Sequence, residues 1–409
     1  MDRLSNPFSP GAGAPPPELA GRDEIIENAK VALHRIRRGR PEKSQMLLGL
    51  RGVGKTVLLN KISDVAEGLG YHVVMLEAPE DQRLAHFLAP ALKAVLIRLS
   101  KIAGAKALAE NAIHALRGFA SAFKVSIGEV EIGVAEVPTA DSGNLEVDLP
   151  ELLLAVGAAA KAAGSSVAIL VDEVQYLSQE DLRALIVALH RISQKSLPLV
   201  LFGAGLPQVA ALAGDAKSYA ERLFDYPGIG PLKTEAVAVA IREPISDEHA
   251  EIEEDAIQQI ANVTQGYPYF IQEWGKHSWN VALASPITKA DVDKAGTAAT
   301  EALDRSFFRV RFDRLTPREQ DYLRAMAELG AGPHRSGLIA DMLGSTVERM
   351  GPLRSGLIKK GMIWSPAHGD TAFTVPMFDA FMIRAIPQWS RAQNSKPKKK
   401  KRAHCARAY

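Results

Sequence analysis

Gly49-Leu50-Arg51-Gly52-Val53-Gly54-Lys55-Thr56 decides how this chain is read. The stretch fits G-x-x-x-x-G-K-[ST], the spelling of a phosphate-binding P-loop. Ahead of it Gln45-Met46-Leu47-Leu48 reads as a buried strand, and behind it Val57, Leu58, Leu59 and Ile62 form a helix face. That strand–loop–helix setting is what the motif requires. Glycines let the backbone bend into a concave nest of N–H groups, and the helix N-terminus adds its dipole. Gly49, Gly52, Val53 and Gly54 are therefore expected to wrap the phosphates of ATP. Lys55 is expected to reach the β- and γ-phosphates, and the Thr56 hydroxyl to ligate Mg2+.

A second stretch completes the chemistry. Val167-Ala168-Ile169-Leu170-Val171-Asp172-Glu173 is an apolar run ending in two carboxylates. It fits a parallel strand buried on both faces whose C-terminal end delivers the acids to a ligand crevice. Asp172 is expected to hold Mg2+ directly or through water, and Glu173 to act as general base on the attacking water. A strand that merely ends in surface acids is the bland alternative; its distance of about 115 residues behind a P-loop argues against it.

Around these two elements helices and strands alternate, which predicts a doubly wound parallel sheet. Residues 18–26 are expected to open a helix running towards Arg38, residues 71–78 form a second strand, and residues 198–203 another core strand. Residues 81–101 and 105–121 have helical periodicity, whereas 124–137 carry the β-branched alternation of a hairpin or short strands inserted on the surface. Pro150 suits the first turn of a helix over 148–163. Ser178 with Asp181 caps a helix over 179–195, and Thr234 is expected to cap another. Residues 234–303 read as helices only, a small α-helical lid. Beyond it lie three predicted helices, the third opened by a Ser345-Thr346-Val347-Glu348 capping box and containing Pro352. Residues 362–365 and 371–375 then form a hairpin. Three helices and a hairpin predict a winged helix. The expected division is a flexible leader (1–17), an ATPase core (18–233), the lid (234–303), the winged helix (304–390) and a disordered basic tail (391–409).

Composition excludes several classes. The 409 residues contain no run long enough to span a membrane, and the Pro/Gly-rich N-terminus lacks the apolar core of a secretory signal. Cys405 is the only cysteine, which removes disulfide frameworks and cysteine-based zinc sites. A cytoplasmic protein is expected. The net charge of +2 hides a strong asymmetry: residues 391–409 hold eight Lys/Arg and no acid, leaving 41 basic against 47 acidic residues elsewhere.

Taken together, residues 18–390 resemble P-loop ATPases of the AAA+/STAND type, particularly the origin-recognition-like ATPases with a C-terminal winged helix. Residues 49–56 resemble Walker A, and 167–173 Walker B with its Asp-Glu pair. Further roles follow from the resemblance alone. Gly21-Arg22-Asp23 looks like the segment near the adenine. Arg222 resembles the arginine finger that reaches a neighbouring subunit's γ-phosphate, implying a homo-oligomer. Gly266-Tyr267-Pro268 looks like the glycine–x–proline lid motif, with Pro268 touching nucleotide. Two features depart from the pattern: Phe202-Gly203-Ala204-Gly205 offers no polar sensor residue, and Lys276 is the nearest cation where a lid arginine is expected. Both fit a slow, ATP-binding switch better than a fast motor.

Two functions remain open. In the first, nucleotide controls a DNA-binding winged helix, with Arg349, Arg354 and Lys359 on the recognition helix and the lysine tail adding salt-sensitive affinity. In the second, the chain is a signalling or scaffold ATPase whose winged helix binds a protein. Residues 304–390 carry 12 Lys/Arg against 9 Asp/Glu, a mild excess. A metabolic kinase fits least, because it leaves the C-terminal domain unexplained.

Overall fold

The strand that runs into the P-loop, β1 (Ser44–Gly49), lies inside a parallel sheet. The computed structural model describes residues 1–11, 13–128 and 140–390. The other strands of this sheet are β2 (Tyr71–Glu77), β3 (Ser166–Asp172), β4 (Leu199–Gly205) and the short β5 (Phe224–Asp225) and β6 (Gly228–Ile229). Their order is β2-β3-β4-β1-β5, and β6 also pairs with β1. Every pairing is parallel, with Met46 beside Gly203 and Val171 also beside Gly203. Every residue of β3 and β4 is buried. Helices cover both faces, so these strands need no polar alternation. Because β1 sits between β4 and β5, the crevice at its C-terminal end is a topological switch point, where such sheets bind ligands.

The flanking helices are α1 (Asp23–Arg37), α2 (Lys55–Gly68), α3 (Leu84–Ser100), α4 (Lys106–Ala122), α5 (Leu145–Ala162), α6 (Gln179–Gln194), α7 (Val209–Ala216) and α8 (Ala220–Leu223). Leucine- and alanine-rich faces of α3 to α6 build the main core with the sheet. Ser178 caps α6 as the sequence predicts, accepting from Asp181 N–H at 3.1 Å. Helix α5 starts earlier than predicted. Asn144 caps it, and the buried Asp148 carboxylate accepts from Ser142 N–H, Ser142 Oγ and Gly143 N–H. Those bonds fold the preceding turn onto the helix and leave Pro150 in its second turn rather than its first. The hairpin expected over 124–137 lies mostly outside the described residues; its described part forms no strand, with Val125 and Ile127 packed on the core.

Four helices follow: α9 (Thr234–Asp247), α10 (Glu254–Thr264), α11 (Pro268–Val281) and α12 (Lys289–Leu303). Thr234 begins α9 instead of capping it, Lys233 holding the cap position without a side-chain bond. The expected flexible leader is in fact docked on α11. Phe8 is buried against Gly275, where an added Cβ would stand 2.7 Å from its ring. Asn6 Nδ2 donates to Lys276 O and Asn280 Oδ1, both at 2.9 Å, and Trp279 Nε1 donates to Asp2 O at 2.7 Å.

The chain divides into two compact units, Met1–Thr300 and Glu301–Tyr409. The second contains a π-helical turn (Asp304–Phe308), α13 (Arg309–Phe312), α14 (Pro317–Glu328), β7 (His334–Arg335), α15 (Ser336–Met342), α16 (Val347–Lys359), β8 (Ile363–Trp364), β9 (Asp370–Phe373) and α17 (Phe378–Ala385). Its antiparallel sheet has the order β7-β9-β8. This element order is compatible with a winged helix. Phe308, Phe378 and Phe381 form its aromatic centre, with ring centroids 5.3–5.6 Å apart. Helix α17, which the sequence reading does not foresee, supplies two of these three rings. The basic tail, 391–409, lies outside the described residues.

The predicted capping box at 345–348 does not form: Thr346 holds the cap position of α16 without a side-chain bond. One forms instead at α14, where Thr316 Oγ1 accepts from Glu319 N–H and Glu319 accepts from Thr316 N–H. Lys360 Nζ also meets Glu319 Oε2, at 2.7 Å. Burial pushes the Glu319 carboxyl up, but Lys360 and Thr316 more than offset this and hold it below the usual carboxylate range. A depressed carboxyl stabilises the fold above its unfolded-state value, near pH 4.3, and loses that contribution as pH falls through the folded value. Glu319→Gln is expected to cost the second unit about 1 kcal/mol at neutral pH. In paired urea melts, the gap from the parent protein should close as pH is lowered through this window.

Candidate nucleotide site

The site is assembled where β1 and β3 end. Gly49 closes β1 against β6 so tightly that an added Cβ would sit 2.2 Å from Ile229 O. Gly54 takes φ +90° at the cap position of α2, a conformation that turns the loop into the helix and that L side chains rarely adopt. The loop therefore presents its N–H groups at a helix N-terminus, the arrangement that holds phosphate. Val53 contributes backbone only, its side chain being buried.

Lys55, on the first turn of α2, is 7% exposed and donates from Nζ to Leu50 O at 2.9 Å. Burial pulls its ammonium below the usual lysine range, opposed by Glu173 and Asp172. Thr56 Oγ1 donates to Asp172 Oδ2 at 2.6 Å, joining two residues 116 positions apart. Burial pushes the Asp172 carboxyl up, against the pull of the hydrogen bonds from Thr56 and from Glu173 N–H. A phosphate beside Lys55 and a divalent cation beside Asp172 would each favour the charged form that burial disfavours. Thr56 and Asp172 are hard oxygen donors side by side, the donor set suited to Mg2+, which takes few protein ligands and completes its shell with phosphate oxygens and water.

Glu173 follows at the strand end in the left-handed region, φ +53° and ψ +39°. Its N–H donates to Asp172 Oδ1 at 2.8 Å, and its Oε2 accepts from Gln175 Nε2. Arg51 of the P-loop donates to Tyr176 Oη at 2.7 Å, fastening the loop to the turn after β3. The sequence reading gave no role to Arg51, Gln175 or Tyr176. Their only signal was position, inside one motif and directly after the other.

The remaining expected residues are placed as follows. Arg22 is buried, and its Nη2 donates to Val53 O at 3.2 Å and to Gly230 O at 2.5 Å. It thus clamps the P-loop to the segment leading to α9. Pro268 is the first residue of α11, and Gly266 O accepts from Leu232 N–H at 2.8 Å, tying that helix start to the same segment. Arg222 is exposed on α8, and its side chain makes no hydrogen bond or ion pair among the described residues. In the second unit, Arg349 and Lys359 are exposed on α16. Arg354 is not: its Nε donates to Thr371 Oγ1 and its Nη2 to Asp370 O, both at 2.8 Å. That guanidinium fastens α16 to β9.

Residues 18–202 match the family described as AAA ATPase domain, and residues 305–382 match one described as a domain of unknown function. No curated protein matches the chain in sequence. Among solved structures, the Walker-type ATPase of Pyrococcus abyssi is 18% identical, covering 89% of this chain and 96% of that one with a TM-score of 0.54. The Aeropyrum pernix ORC2 protein in its ADPNP–ADP complexes is 16% identical, covering 92% and 98% with a TM-score of 0.53. Its ADP form is 15% identical, covering 95% and 99% with a TM-score of 0.52. At such identities the likeness is one of fold. With a family match that spans both motifs, and with Thr56 bonded to Asp172, residues 18–202 form an AAA ATPase domain, and the fold of the chain is like that of the archaeal Walker-type ATPase and ORC2.

Proposed function

We propose that this ATPase is a slow nucleotide-driven switch that controls DNA binding by its C-terminal winged helix. The observation that carries the reading is the exposed basic face of α16, where Arg349 and Lys359 are exposed while Arg354 is held by the hairpin. In the switch site, Lys55 and the P-loop N–H groups would hold the phosphates of ATP, and Thr56 and Asp172 would hold Mg2+, which would supply charge neutralisation at the phosphates. Glu173 takes a proton from water as the water oxygen bonds to the γ-phosphorus and the bond to the bridging oxygen breaks, giving ADP and phosphate. Slow turnover is supported by the end of β4, where Gly203, Ala204 and Gly205 carry no polar side chain.

A salt titration of DNA binding, with ATP and with ADP, tests this reading. Deleting residues 391–409 should weaken all sequences alike and flatten the salt dependence, because up to eight basic side chains disappear. Replacing Arg349 and Lys359 by Ala should erode preference between sequences, by about 1–3 kcal/mol for each lost base contact. Arg354→Ala is the wrong probe, since it also unfastens the hairpin. Binding that depends wholly on the tail and ignores both α16 changes would overturn the DNA reading. A protein-binding winged helix would then lead, a second reading favoured by Leu338 and Val347, which are 51% and 46% exposed on α15 and α16.

A further inference from the structure

Gln175 occupies an unusual place between the two sides of the site. Its Oε1 accepts from Leu206 N–H, just past β4, at 3.0 Å. An amide accepts through oxygen and donates through nitrogen, so this backbone donor fixes which way the group faces. The nitrogen is thereby directed at Glu173, where Nε2 donates to Oε2. Space for the amide comes from Gly205, where an added Cβ would lie 3.0 Å from Gln175 Oε1 and 2.9 Å from Val209 Cγ2. The end of β4 thus has no polar side chain of its own, and receives one from the turn after β3.

Glu173 needs such a restraint. Its left-handed backbone is costly for a side chain with a Cβ and persists only where the surroundings over-determine it. The bond from its N–H to Asp172 holds the backbone, and Gln175 holds the carboxylate. Oε1 of Glu173 makes no hydrogen bond among the described residues, which leaves one oxygen for a water. We infer that Gln175 is a positioning residue for hydrolysis, its amide anchored on the β4 backbone and aiming the Glu173 carboxylate at the attacking water. The inference rests on Glu173 being the base, and its test separates the two claims.

The deciding variant is Gln175→Glu. It keeps the size and the oxygen for Leu206 N–H, and replaces the donor facing Glu173 by a carboxylate oxygen that also repels it, so Gln175→Ala, which removes the donor without adding charge, is measured beside it. A merely structural link to β4 would survive it. Single-turnover and steady-state ATP hydrolysis should show kcat reduced about 10- to 100-fold in Gln175→Glu and Gln175→Ala, the scale of a misplaced catalytic group. KM and ATP affinity should stay within about twofold, because no phosphate contact is lost. Gly205→Ala, which takes the space of the amide while leaving Gln175 in the chain, should lower kcat in the same way. Thermal melts exclude misfolding for each variant. Wild-type or raised kcat in Gln175→Glu would overturn the inference, as would a higher KM at unchanged kcat. Glu173→Gln is measured alongside: if it hydrolyses normally the base assignment fails, and if it is inactive while Gln175→Glu is normal only the positioning role fails.

Discussion

Glu173→Gln should bind ATP as tightly as the parent protein and hydrolyse it about 10²- to 10⁴-fold more slowly, the usual worth of a positioned general base. The expectation comes from where the structure puts the residue. Glu173 follows Asp172 directly, with a left-handed backbone at the strand end; the Asp172 carboxylate bonds Thr56, while that of Glu173 accepts from Gln175. On the proposed reading, one acid serves the metal side of the site and the other is left for water. An amide at position 173 retains an oxygen for Gln175 but cannot take up a proton. Binding should be untouched, because the proposed phosphate contacts belong to the P-loop and Lys55. Calorimetry with ATP and phosphate release on the same sample check both halves. A variant that loses binding as well would make Glu173 part of the nucleotide cradle.

What the sequence made legible is what lies within a few residues. Both motifs are contiguous, so Lys55, Thr56, Asp172 and Glu173 could be put forward as candidates before any fold was known, and the fold brings them together. The sheet order could not be: β4 inserts between β1 and β3, and no local pattern announces that neighbour. The Gln175 bridge depends on that insertion, since its oxygen partner lies 31 residues away. Arg354 illustrates the same limit on the second unit. A basic residue on a helix reads as a surface contact until Thr371 and Asp370 arrive beside it. Caps were misread for a related reason. Ser345 to Glu348 and Thr316 to Glu319 both spell a capping box, and only the second folds as one, reinforced by Lys360 from α16's C-terminal end. The leader failed through composition: Pro and Gly suggest loose chain, while the one buried ring, Phe8, fixes it to α11.

Arg222 should act between subunits, so that activity per molecule rises with protein concentration and falls about 10³- to 10⁵-fold in Arg222→Ala, the range reported for arginine fingers. Its setting motivates the claim. The residue is exposed on the short α8, immediately before β5 at the sheet edge, and is tied to no acid among the described residues. An unpaired surface guanidinium contributes nothing to its own fold, whereas one that meets a γ-phosphate stabilises charge as it builds in the transition state. Complementation tests this directly. Lys55→Ala lacks the phosphate-binding cation but presents an intact Arg222; Arg222→Ala has a sound pocket and no finger. Each alone should be inactive, and mixing them should restore part of the rate because one interface then holds both groups. Such rescue cannot arise within a monomer. If turnover is independent of concentration and the mixture stays inactive, Arg222 does not reach a neighbour's nucleotide, and the transition-state charge must be met by Lys55 and the P-loop alone.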